Sequence, residues 1–438
     1  MTDVESTTQA ETTQPRPTFR AALAHRDFAL VWSGQTFSAV GNQVFPLALA
    51  VFVLAGGGGA SALGAVLGAM TAAVIAGTLT AAALGDRWRR TRVMIAADAV
   101  RAVAVGAIAL SPVDAGMPFL IVAVAIVGFG EGLFAPAFGA AIPRFLPRDL
   151  LAPGNGLNSL SMYLSMMIGP ALAGLLTAAW DPRIALWLDA ATFVVSIATL
   201  LAVREARPER EESDGPAAGP IKAMVDDLRG GIGAVVARPW IGASIGMATV
   251  VMTFVTAPAL VLLPVIADER LGGPGAYSWT LVVMGIGCAM GAMIASRIRV
   301  RRQGLFALCC VASNAACVLG LAFLPLPGVL ATFWLAGLGV IIFQVIWTTA
   351  LQKDVPDHVM ARVMALDWLG SQALMPIGYA LTGPLALMFG QNVLLVAGAV
   401  LMLVVVPLPL FTRGGATFSS DDTSRPLLAL PTRRGQRA

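Results

Sequence analysis

The feature that most constrains this chain is a series of twelve apolar stretches, each long enough to cross a bilayer as a helix. A helix needs about 20 apolar residues to span the hydrocarbon core. The stretches, numbered as spans 1 to 12, are 28–54, 61–84, 93–111, 117–139, 157–179, 184–203, 241–266, 276–296, 304–324, 329–351, 363–388 and 392–412. Of the 438 residues, 57% are hydrophobic and only 12% are charged, against roughly 25% charged in soluble domains. The pattern predicts an all-α integral membrane protein.

The basic residues predict how the spans are oriented. If the chain begins on the cytoplasmic side, 26 of its 29 Lys and Arg residues fall on that side. Only Arg183 and Arg270 fall on the opposite side, and Arg101 lies within span 3. Loops rich in Lys and Arg stay in the cytoplasm. We therefore expect a multi-pass protein of a bacterial cytoplasmic membrane, with both termini inside.

Segments between and beyond the spans divide the chain into five parts. Residues 1–27 are polar and are predicted to be a disordered cytoplasmic tail. An N-terminal six-helix half (28–203) and a C-terminal six-helix half (241–412) follow, here called the N-half and the C-half. The cytoplasmic linker between them, 204–240, is predicted to carry an amphipathic helix on the membrane surface. Residues 413–438 are predicted to be a second cytoplasmic tail.

The two halves repeat each other in sequence. The charged loop 86–92 after span 2 recurs in degraded form as 296–302 after span 8, at an offset of 210. Pro147 after span 4 corresponds to Pro356 after span 10, at an offset of 209. Such parallel repeats are a plan of transporters that bind substrate between the halves. The sequence therefore predicts two pseudo-symmetric six-helix units.

Several short motifs resemble the major facilitator superfamily over the whole membrane region. The segment 84–90, Leu-Gly-Asp-Arg-Trp-Arg-Arg, resembles the loop between its helices 2 and 3, although Arg89 stands where a Gly is usual. Gly169-Pro170, followed by Gly174, resembles the motif of its antiporters. Other motifs resemble the branch of macrolide efflux proteins and the enterobactin exporter: Trp32-Ser33-Gly34-Gln35, Gly41, Phe134-Ala135-Pro136-Ala137, Pro143, Asp189, Phe193, Gln352, Val355-Pro356 and Arg362. One departure is Asn42, where that branch commonly has an acidic residue.

Ionisable residues inside the spans are candidates for coupling, because burying a charge in lipid is costly. Glu131 lies near the middle of span 4 and is a candidate carrier of protons or a group that contacts substrate. The alternative is that Glu131 forms a permanent ion pair with Arg101. Asp98 and Arg101 are three residues apart and are expected to pair on one helix face.

A second set of residues is predicted to act in gating. The loop residues are expected to hold the cytoplasmic side shut in one state, a role that the family resemblance also implies, and the Gly-Pro pair is expected to bend span 5. Asp189 is expected to cap or pair near the outer mouth, and Asp367 to join Arg362 in an inner gate. The full set is Asp86, Arg87, Arg90, Gly169, Pro170, Asp189, Arg362 and Asp367.

Polar and aromatic residues near the middle of the spans are candidates for lining a central cavity. They are Gln35, Asn42, Asn314, Gln344, Phe343 and Trp347. Aromatic side chains in a span nevertheless contact lipid or other helices more often than they contact a ligand. No cofactor or metal site is expected, because the two histidines and four cysteines show no ligand spacing. No phosphate-binding loop is present, so a nucleotide is not an expected partner. Topology accounts for the basic residues, so nucleic acid is not expected either.

These observations predict a transporter and not an enzyme. The favoured hypothesis is a secondary active exporter of lipophilic or amphipathic molecules, such as a drug, antibiotic or siderophore, driven by protons through alternating access. An uncoupled or importing facilitator is the alternative, motivated by Asn42 in place of an acid. A membrane sensor or scaffold that transports nothing is the alternative of another class.

Overall fold

The computed structural model describes residues 18–84, 89–203, 230–298 and 300–420. Twelve helices within these ranges are long and apolar enough to cross a membrane. They are α2 (Arg26–Ala55), α3 (Ala60–Leu84), α4 (Arg90–Leu110), α5 (Met117–Phe145), α6 (Leu151–Ala179), α7 (Pro182–Leu201), α8 (Pro239–Leu271), α9 (Pro274–Ala295), α10 (Gln303–Phe323), α11 (Leu326–Asp354), α12 (Val359–Phe389) and α13 (Gln391–Phe411). The predicted all-α membrane fold is confirmed.

Part of the predicted disordered tail 1–27 is folded, just before the first span. Phe19–Ala24 form a short helix, α1, and the Thr18 hydroxyl accepts a hydrogen bond from the Ala21 N–H at its start. Ala22 is fully buried, and the Phe19 ring lies close to Gly156 of α6. Burial of Ala22 anchors this segment on the N-half, while the Phe19 ring remains half-exposed. Residues 1–17 lie outside the described ranges.

The start of the predicted C-terminal tail 413–438 is also folded. Phe418 is 2% exposed and packs on the rings of Trp240 and Trp347, with centroids 5.2 and 5.6 Å away. The Leu305 N–H donates a hydrogen bond to the Ala416 carbonyl at 3.0 Å. Residues 413–420 therefore belong to the C-half, because a buried aromatic ring anchors them. The rest of this tail lies outside the described residues.

Only the end of the predicted linker 204–240 is described. Residues 230–236 are helical, and Gly230 and Gly231 lie against Arg362 and Leu366 of α12. The first part of the predicted amphipathic helix falls in 204–229, outside the described ranges. The span that follows begins at Pro239, two residues before the predicted start, because proline suits the first turn of a helix.

The two halves differ in the regularity of their helices. The six spans of the N-half are continuous α-helices. In the C-half, α8 contains a π-helical turn at Met252–Thr256, α10 is interrupted at Ser313, and α12 is interrupted at residues 373–374. These three interruptions fall near the middle of their spans, and a second π-helical turn, Ala267–Leu271, ends α8. Irregular backbone at membrane depth is tolerated where it lines a cavity or is buried in protein.

Contacts between the halves concentrate on the side of the membrane opposite the termini. There α3 packs on the second part of α12, and α6 packs on α9. An added Cβ at Gly64 would overlap the Tyr379 carbonyl, and one at Gly174 would overlap Ser278. Small residues let the helix backbones approach closely, as in other membrane interfaces. The first part of α12 (Asp357–Gln372) instead packs on α8 of its own half. This conformation is closed on the side opposite the termini.

Candidate functional site: a buried charge cluster and a second-half cavity

A buried ion pair lies in α4, in the interior of the N-half. Asp98 and Arg101 form the pair that their spacing predicts, with the Arg101 guanidinium nitrogen 3.4 Å from Asp98 Oδ1. Their side chains are 0% and 3% exposed. Both ions are thus removed from solvent, and such a pair persists only with further hydrogen bonds.

Neighbouring helices supply those hydrogen bonds. Arg101 donates to the side-chain oxygen of Asn42 on α2, and its guanidinium lies 4.2 Å from the centroid of the Phe193 ring on α7. The Ser196 hydroxyl donates to Asp98 Oδ2 at 2.6 Å and accepts from the Gln35 amide at 2.9 Å. Three helices are therefore joined through one polar network around the ion pair.

Asp189 of α7 has no such support. Its side chain is fully buried, and neither carboxylate oxygen has a hydrogen-bond partner among the described residues. Its surroundings reach the ion pair: Phe193, four residues after Asp189, lies against the Arg101 guanidinium, and Asn42, next to Gly41, accepts a hydrogen bond from it. Gly41 of α2 permits this position, because an added Cβ there would overlap the Asp189 carboxylate. Sequence reasoning assigned Asp189 to an outer gate, whereas the structure brings it to the ion pair.

Glu131 of α5 lies at the edge of the same group. Its neighbour Gly130 packs directly on the Arg101 side chain. Glu131 is half-buried and forms no hydrogen bond or ion pair with any described residue. The permanent ion pair with Arg101, the structural alternative for Glu131, is absent from this conformation: the two terminal nitrogens of the guanidinium bond Asp98 and Asn42, and its Nε has no hydrogen-bond partner among the described residues. We call Asp98, Arg101, Glu131 and Asp189 the Arg101 cluster.

Sequence reasoning did not single out two polar residues of α7 that border the cluster. Ser196 bonds Asp98, and Thr192 lies against Gly41 beside Asp189. The signal was present in the spacing, because residues 189, 192, 193 and 196 share one face of a helix. Polar residues on one face of a span indicate a face turned toward protein.

A cavity of about 280 Å³ lies at mid-depth in the C-half, and we call it the C-half cavity. Four of the six residues predicted to line a cavity do so: Asn314, Gln344, Phe343 and Trp347. The other two, Gln35 and Asn42, belong instead to the network around the Arg101 cluster. The predicted cavity set is therefore divided between the halves.

Asp367 lines the C-half cavity. Its Oδ2 accepts a hydrogen bond from Trp347 Nε1 at 2.9 Å. The predicted inner-gate contact of Asp367 with Arg362 is not present in this conformation. The two residues are five apart in the first part of α12, a spacing that turns them to different helix faces. Arg362 lies instead beside Gly230.

The remaining predicted gating residues lie at two places. Gly169 packs on Gln43 of α2, and the Pro170 carbonyl accepts a hydrogen bond from the Ser278 hydroxyl of α9 at 2.6 Å. The Gly-Pro pair therefore lies where α6 meets both α2 and the other half. Arg90 is the first residue of α4 and is half-buried. Asp86 and Arg87 fall in 85–88, outside the described residues.

Comparison with known proteins agrees with this architecture. Residues 31–379 match the model of the Major Facilitator Superfamily. The chain is 26% identical over 380 residues to the multidrug efflux pump Tap of Mycolicibacterium fortuitum, covering 83% of this chain and 90% of the relative. It is 23% identical to macrolide efflux protein A of Streptococcus pyogenes, with 87% and 95% covered. It is 25% identical to the enterobactin exporter EntS of Shigella flexneri, with 80% and 85% covered.

Solved transporter structures share the fold at low sequence identity. A mutant of the nucleoside transporter NupG superposes with a TM-score of 0.69 at 9% identity, covering 87% of this chain and 98% of that one. A mutant of the peptide transporter POT in complex with alafosfalin gives 0.69 at 14% identity, covering 93% and 98%. The predicted resemblance, including its efflux branch, is confirmed by the sequence relatives. The chain is a membrane transporter, not an enzyme, and it belongs to the Major Facilitator Superfamily.

Proposed function

We propose that the chain is a secondary active exporter that exchanges protons for lipophilic or amphipathic molecules by alternating access. The observation that carries the proposal is Asp189, a carboxyl group in the membrane interior without a hydrogen-bond partner among the described residues. An ionised carboxylate in such a place is costly to bury, and protonation removes that cost. Asp189 therefore holds a proton in this conformation.

The rest of the Arg101 cluster makes this proton exchangeable. Asp98 already neutralises Arg101 through their ion pair, so Asp189 and Glu131 have no cation of their own. Glu131 is half-buried, whereas Asp189 is enclosed. We assign Glu131 as the group that exchanges protons with water and Asp189 as the group that holds the transported proton. A small shift of α7 against α4 that lets Arg101 donate a hydrogen bond directly to the Asp189 carboxylate would release this proton.

Export and orientation rest on other observations. The relatives are named as a multidrug efflux pump, a macrolide efflux protein and an enterobactin exporter, which supports outward transport of drugs, antibiotics or siderophores.

The excess of basic residues on the side of the termini supports a cytoplasmic position for both termini, in a bacterial plasma membrane. A fluorescent protein fused after Ala438 tests this, because cytoplasmic fluorescence supports it and a dark, fully exported fusion contradicts it.

Alternating access is supported by the contacts between the halves. The halves meet on the side opposite the termini, so this conformation corresponds to the inward-facing state of the proposed cycle. Outward opening requires α6 to separate from α9 and α3 to separate from α12. The bond from Ser278 to the Pro170 carbonyl breaks in that step, which gives the Gly-Pro pair a gating role. The loop with Asp86, Arg87 and Arg90 is assigned to closing the cytoplasmic side.

Accumulation of ethidium in bacterial cells tests the proposed function. Cells that express the protein are expected to hold less ethidium than cells with an empty vector, and a protonophore should abolish the difference. Asp189→Asn and Glu131→Gln are each expected to raise accumulation toward the empty-vector level. Asp114→Asn removes a carboxylate from an exposed loop and serves as the matched control.

Each other outcome points to a different function. Efflux that survives the protonophore contradicts proton coupling and favours the uncoupled facilitator. Full efflux by Asp189→Asn removes Asp189 from the mechanism. Binding of a stoichiometric cytoplasmic protein without flux of ethidium, macrolides or siderophores favours the scaffold and contradicts transport.

A further inference from the structure

The C-half cavity has a wall of apolar side chains with few polar groups. Four methionines and three aromatic residues are among the lining residues, and these side chains suit ligands of variable shape. They include Met247, Met252, Met284, Met402, Phe333 and Phe343. Its volume of about 280 Å³ suits a small ligand. A molecule bound here exchanges water for hydrocarbon over most of its surface.

The three interruptions of the C-half helices meet at this cavity. The π-helical turn of α8 contributes Val255 and Thr256, the break in α10 contributes Asn314, and the break in α12 follows Ser371. Discontinuous helices at mid-depth are a recurring feature of binding sites in transporters. The N-half spans have no interruption at a corresponding depth. Backbone irregularity therefore marks the C-half cavity as a site shaped for a ligand.

Asp367 is the one charged residue among the described residues that line the C-half cavity. Trp347 Nε1 holds its Oδ2, while Oδ1 accepts no hydrogen bond from any described residue. No Lys, Arg or His shares the lining. The carboxylate is thus oriented but not neutralised, and a cation in the cavity would supply the missing charge.

Other groups in the wall favour the same ligand. Phe343 and Trp347 stack with centroids 6.1 Å apart beside Asp367, and aromatic faces attract cations. The Ser244 hydroxyl is 2% exposed, lines the cavity and has no hydrogen-bond partner among the described residues. Asp367 Oδ1 therefore offers an unused acceptor to a ligand, and the enclosed Ser244 hydroxyl adds an unpaired dipole to the same wall. An anion would be repelled by the Asp367 carboxylate, and none of the described lining residues is a cation that could offset this repulsion.

We propose that the C-half cavity binds lipophilic molecules that carry one positively charged nitrogen, with Asp367 as the counter-charge. The inference rests on the proposed function in that the bound molecule is the exported one. The cavity lies in the C-half and the Arg101 cluster in the N-half, so substrate and proton occupy separate sites. Binding needs no ion gradient, and it can be measured independently of transport.

Equilibrium binding to the purified protein in lipid nanodiscs tests the proposal. Tritiated N-methyl-4-phenylpyridinium is the probe, 4-methylbiphenyl its neutral competitor of the same shape, and biphenyl-4-carboxylate the anionic competitor. The cation is expected to bind about tenfold more tightly than the neutral compound, because one desolvated charge pair is added. Asp367→Asn keeps an acceptor for Trp347 and should bring the two affinities to within about twofold, since only the charge pair is lost.

The controls separate charge recognition from folding and from coupling. Unchanged affinity of Asp367→Asn for 4-methylbiphenyl shows that its cavity is intact, and Asp114→Asn should retain the preference for the cation. Equal binding of the cation and its neutral analogue in the wild type, or a preference that survives in Asp367→Asn, overturns the proposal. If Asp189→Asn loses ethidium efflux but still prefers the cation, the proposed substrate site stands. The defect of that variant then lies in proton coupling.

Discussion

The N-half and the C-half are copies of one six-helix unit, yet their interiors contain different features. The N-half has continuous helices and encloses a charge cluster whose members lie on α4, α5 and α7. The C-half has three interrupted helices around a cavity with one carboxylate. Rigid helices suit a network in which every hydrogen bond depends on fixed positions. Interrupted helices suit a wall that adapts to a ligand.

This division explains how one fold performs two tasks. A proton and a lipophilic cation compete directly if they bind the same carboxylate. If they bind different carboxylates, each affects binding of the other only by changing the conformation of the protein. Here Asp189 and Asp367 lie in different halves that rotate against each other in the proposed cycle. Coupling then rests on which conformation each ligand favours, a form of linkage between separate sites. The following predictions test whether the halves are as different as this comparison implies.

Removing Arg101 should have the largest effect of any single substitution in the N-half. Arg101→Ala leaves the buried Asp98 carboxylate without its cation, together with Asp189 and Glu131 nearby. Breaking a buried pair in this way costs about 3–5 kcal/mol of unfolding free energy. Thermal unfolding of the purified protein in detergent should show a much lower midpoint, or the variant should fail to accumulate in the membrane.

Two further variants show how much of this loss comes from the buried charge and how much from an ordinary arginine hydrogen bond. Arg183→Ala removes an arginine that donates to the Ser111 carbonyl at the end of α4, and it should cost about 1 kcal/mol, the value of an ordinary hydrogen bond. Combining Arg101→Gln with Asp98→Asn removes both charges and should recover part of the lost stability. If Arg101→Ala unfolds at the wild-type temperature, the N-half does not depend on its ion pair and the comparison fails.

Two glycines in the first span of each half, one closely packed and one in open space, should respond in opposite directions to an added methyl group. An added Cβ at Gly41 of α2 meets Asp189 and Thr192, whereas one at Gly246 of α8 meets no atom within 4 Å. Gly41→Ala should destabilise the protein by about 1–3 kcal/mol through overpacking. Gly246→Ala should be neutral or stabilising by up to about 1 kcal/mol, because alanine favours a helix.

Unfolding midpoints of the two glycine variants, measured side by side, give the answer. A neutral Gly41→Ala would mean that α2 and α7 have room to move apart around Asp189. That result would remove the argument that Asp189 is tightly enclosed. A destabilised Gly246→Ala would mean that α8 packs closely there.

The fold was predictable because its signals are local and repeated. Each span is a run of apolar residues, and each termini-side loop carries basic residues. The ion pair of Asp98 with Arg101 follows from helical spacing alone. By contrast, the approach of Asp189 to Arg101 depends on how α7 packs on α4, and no local pattern specifies that packing. The same holds for Asp367, whose partner Trp347 lies on another helix and 20 positions away.

Anchored termini were missed for a related reason. The segments containing Phe19 and Phe418 are polar on average, so composition assigned both to cytoplasmic tails and the first of them to a disordered one. A single aromatic ring is enough to bury the second segment: Phe418 enters an aromatic group with Trp240 and Trp347. Composition averages over such a residue, whereas packing depends on it.

In the C-half, the hydrogen bond that orients Asp367 should have a moderate effect. Trp347→Phe keeps an aromatic ring next to Phe418 and removes the Nε1–H donor to Asp367. Loss of a hydrogen bond to a carboxylate costs about 1.5–3 kcal/mol when the group is left unpaired, and less here because Asp367 lines a cavity. The preference for N-methyl-4-phenylpyridinium over 4-methylbiphenyl should fall several-fold without vanishing, since the charge remains.

A matched change in the other half serves as the control for Trp347→Phe. Trp187→Phe alters an exposed tryptophan of α7 in the N-half and should leave the cation preference unchanged. A preference equally reduced by both variants would show that general destabilisation, and not the orientation of Asp367, is responsible.

The smallest change concerns Asn42, where the family resemblance leads us to expect an acidic residue. Asn42 accepts a hydrogen bond from Arg101, so Asn42→Asp places a second carboxylate on the same guanidinium at little steric cost. The single variant should keep efflux, with an unfolding midpoint close to the wild type, because the added charge is costly to bury but gains a charge-assisted bond. Its value lies in the double variant with Asp189→Asn. If either carboxyl group beside Arg101 can hold the transported proton, ethidium efflux lost in Asp189→Asn should return in part with Asn42→Asp. Failure to rescue, with both proteins folded, would mean that the position of the carboxyl on α7 matters and that this chain couples protons differently from relatives with an acid in span 1.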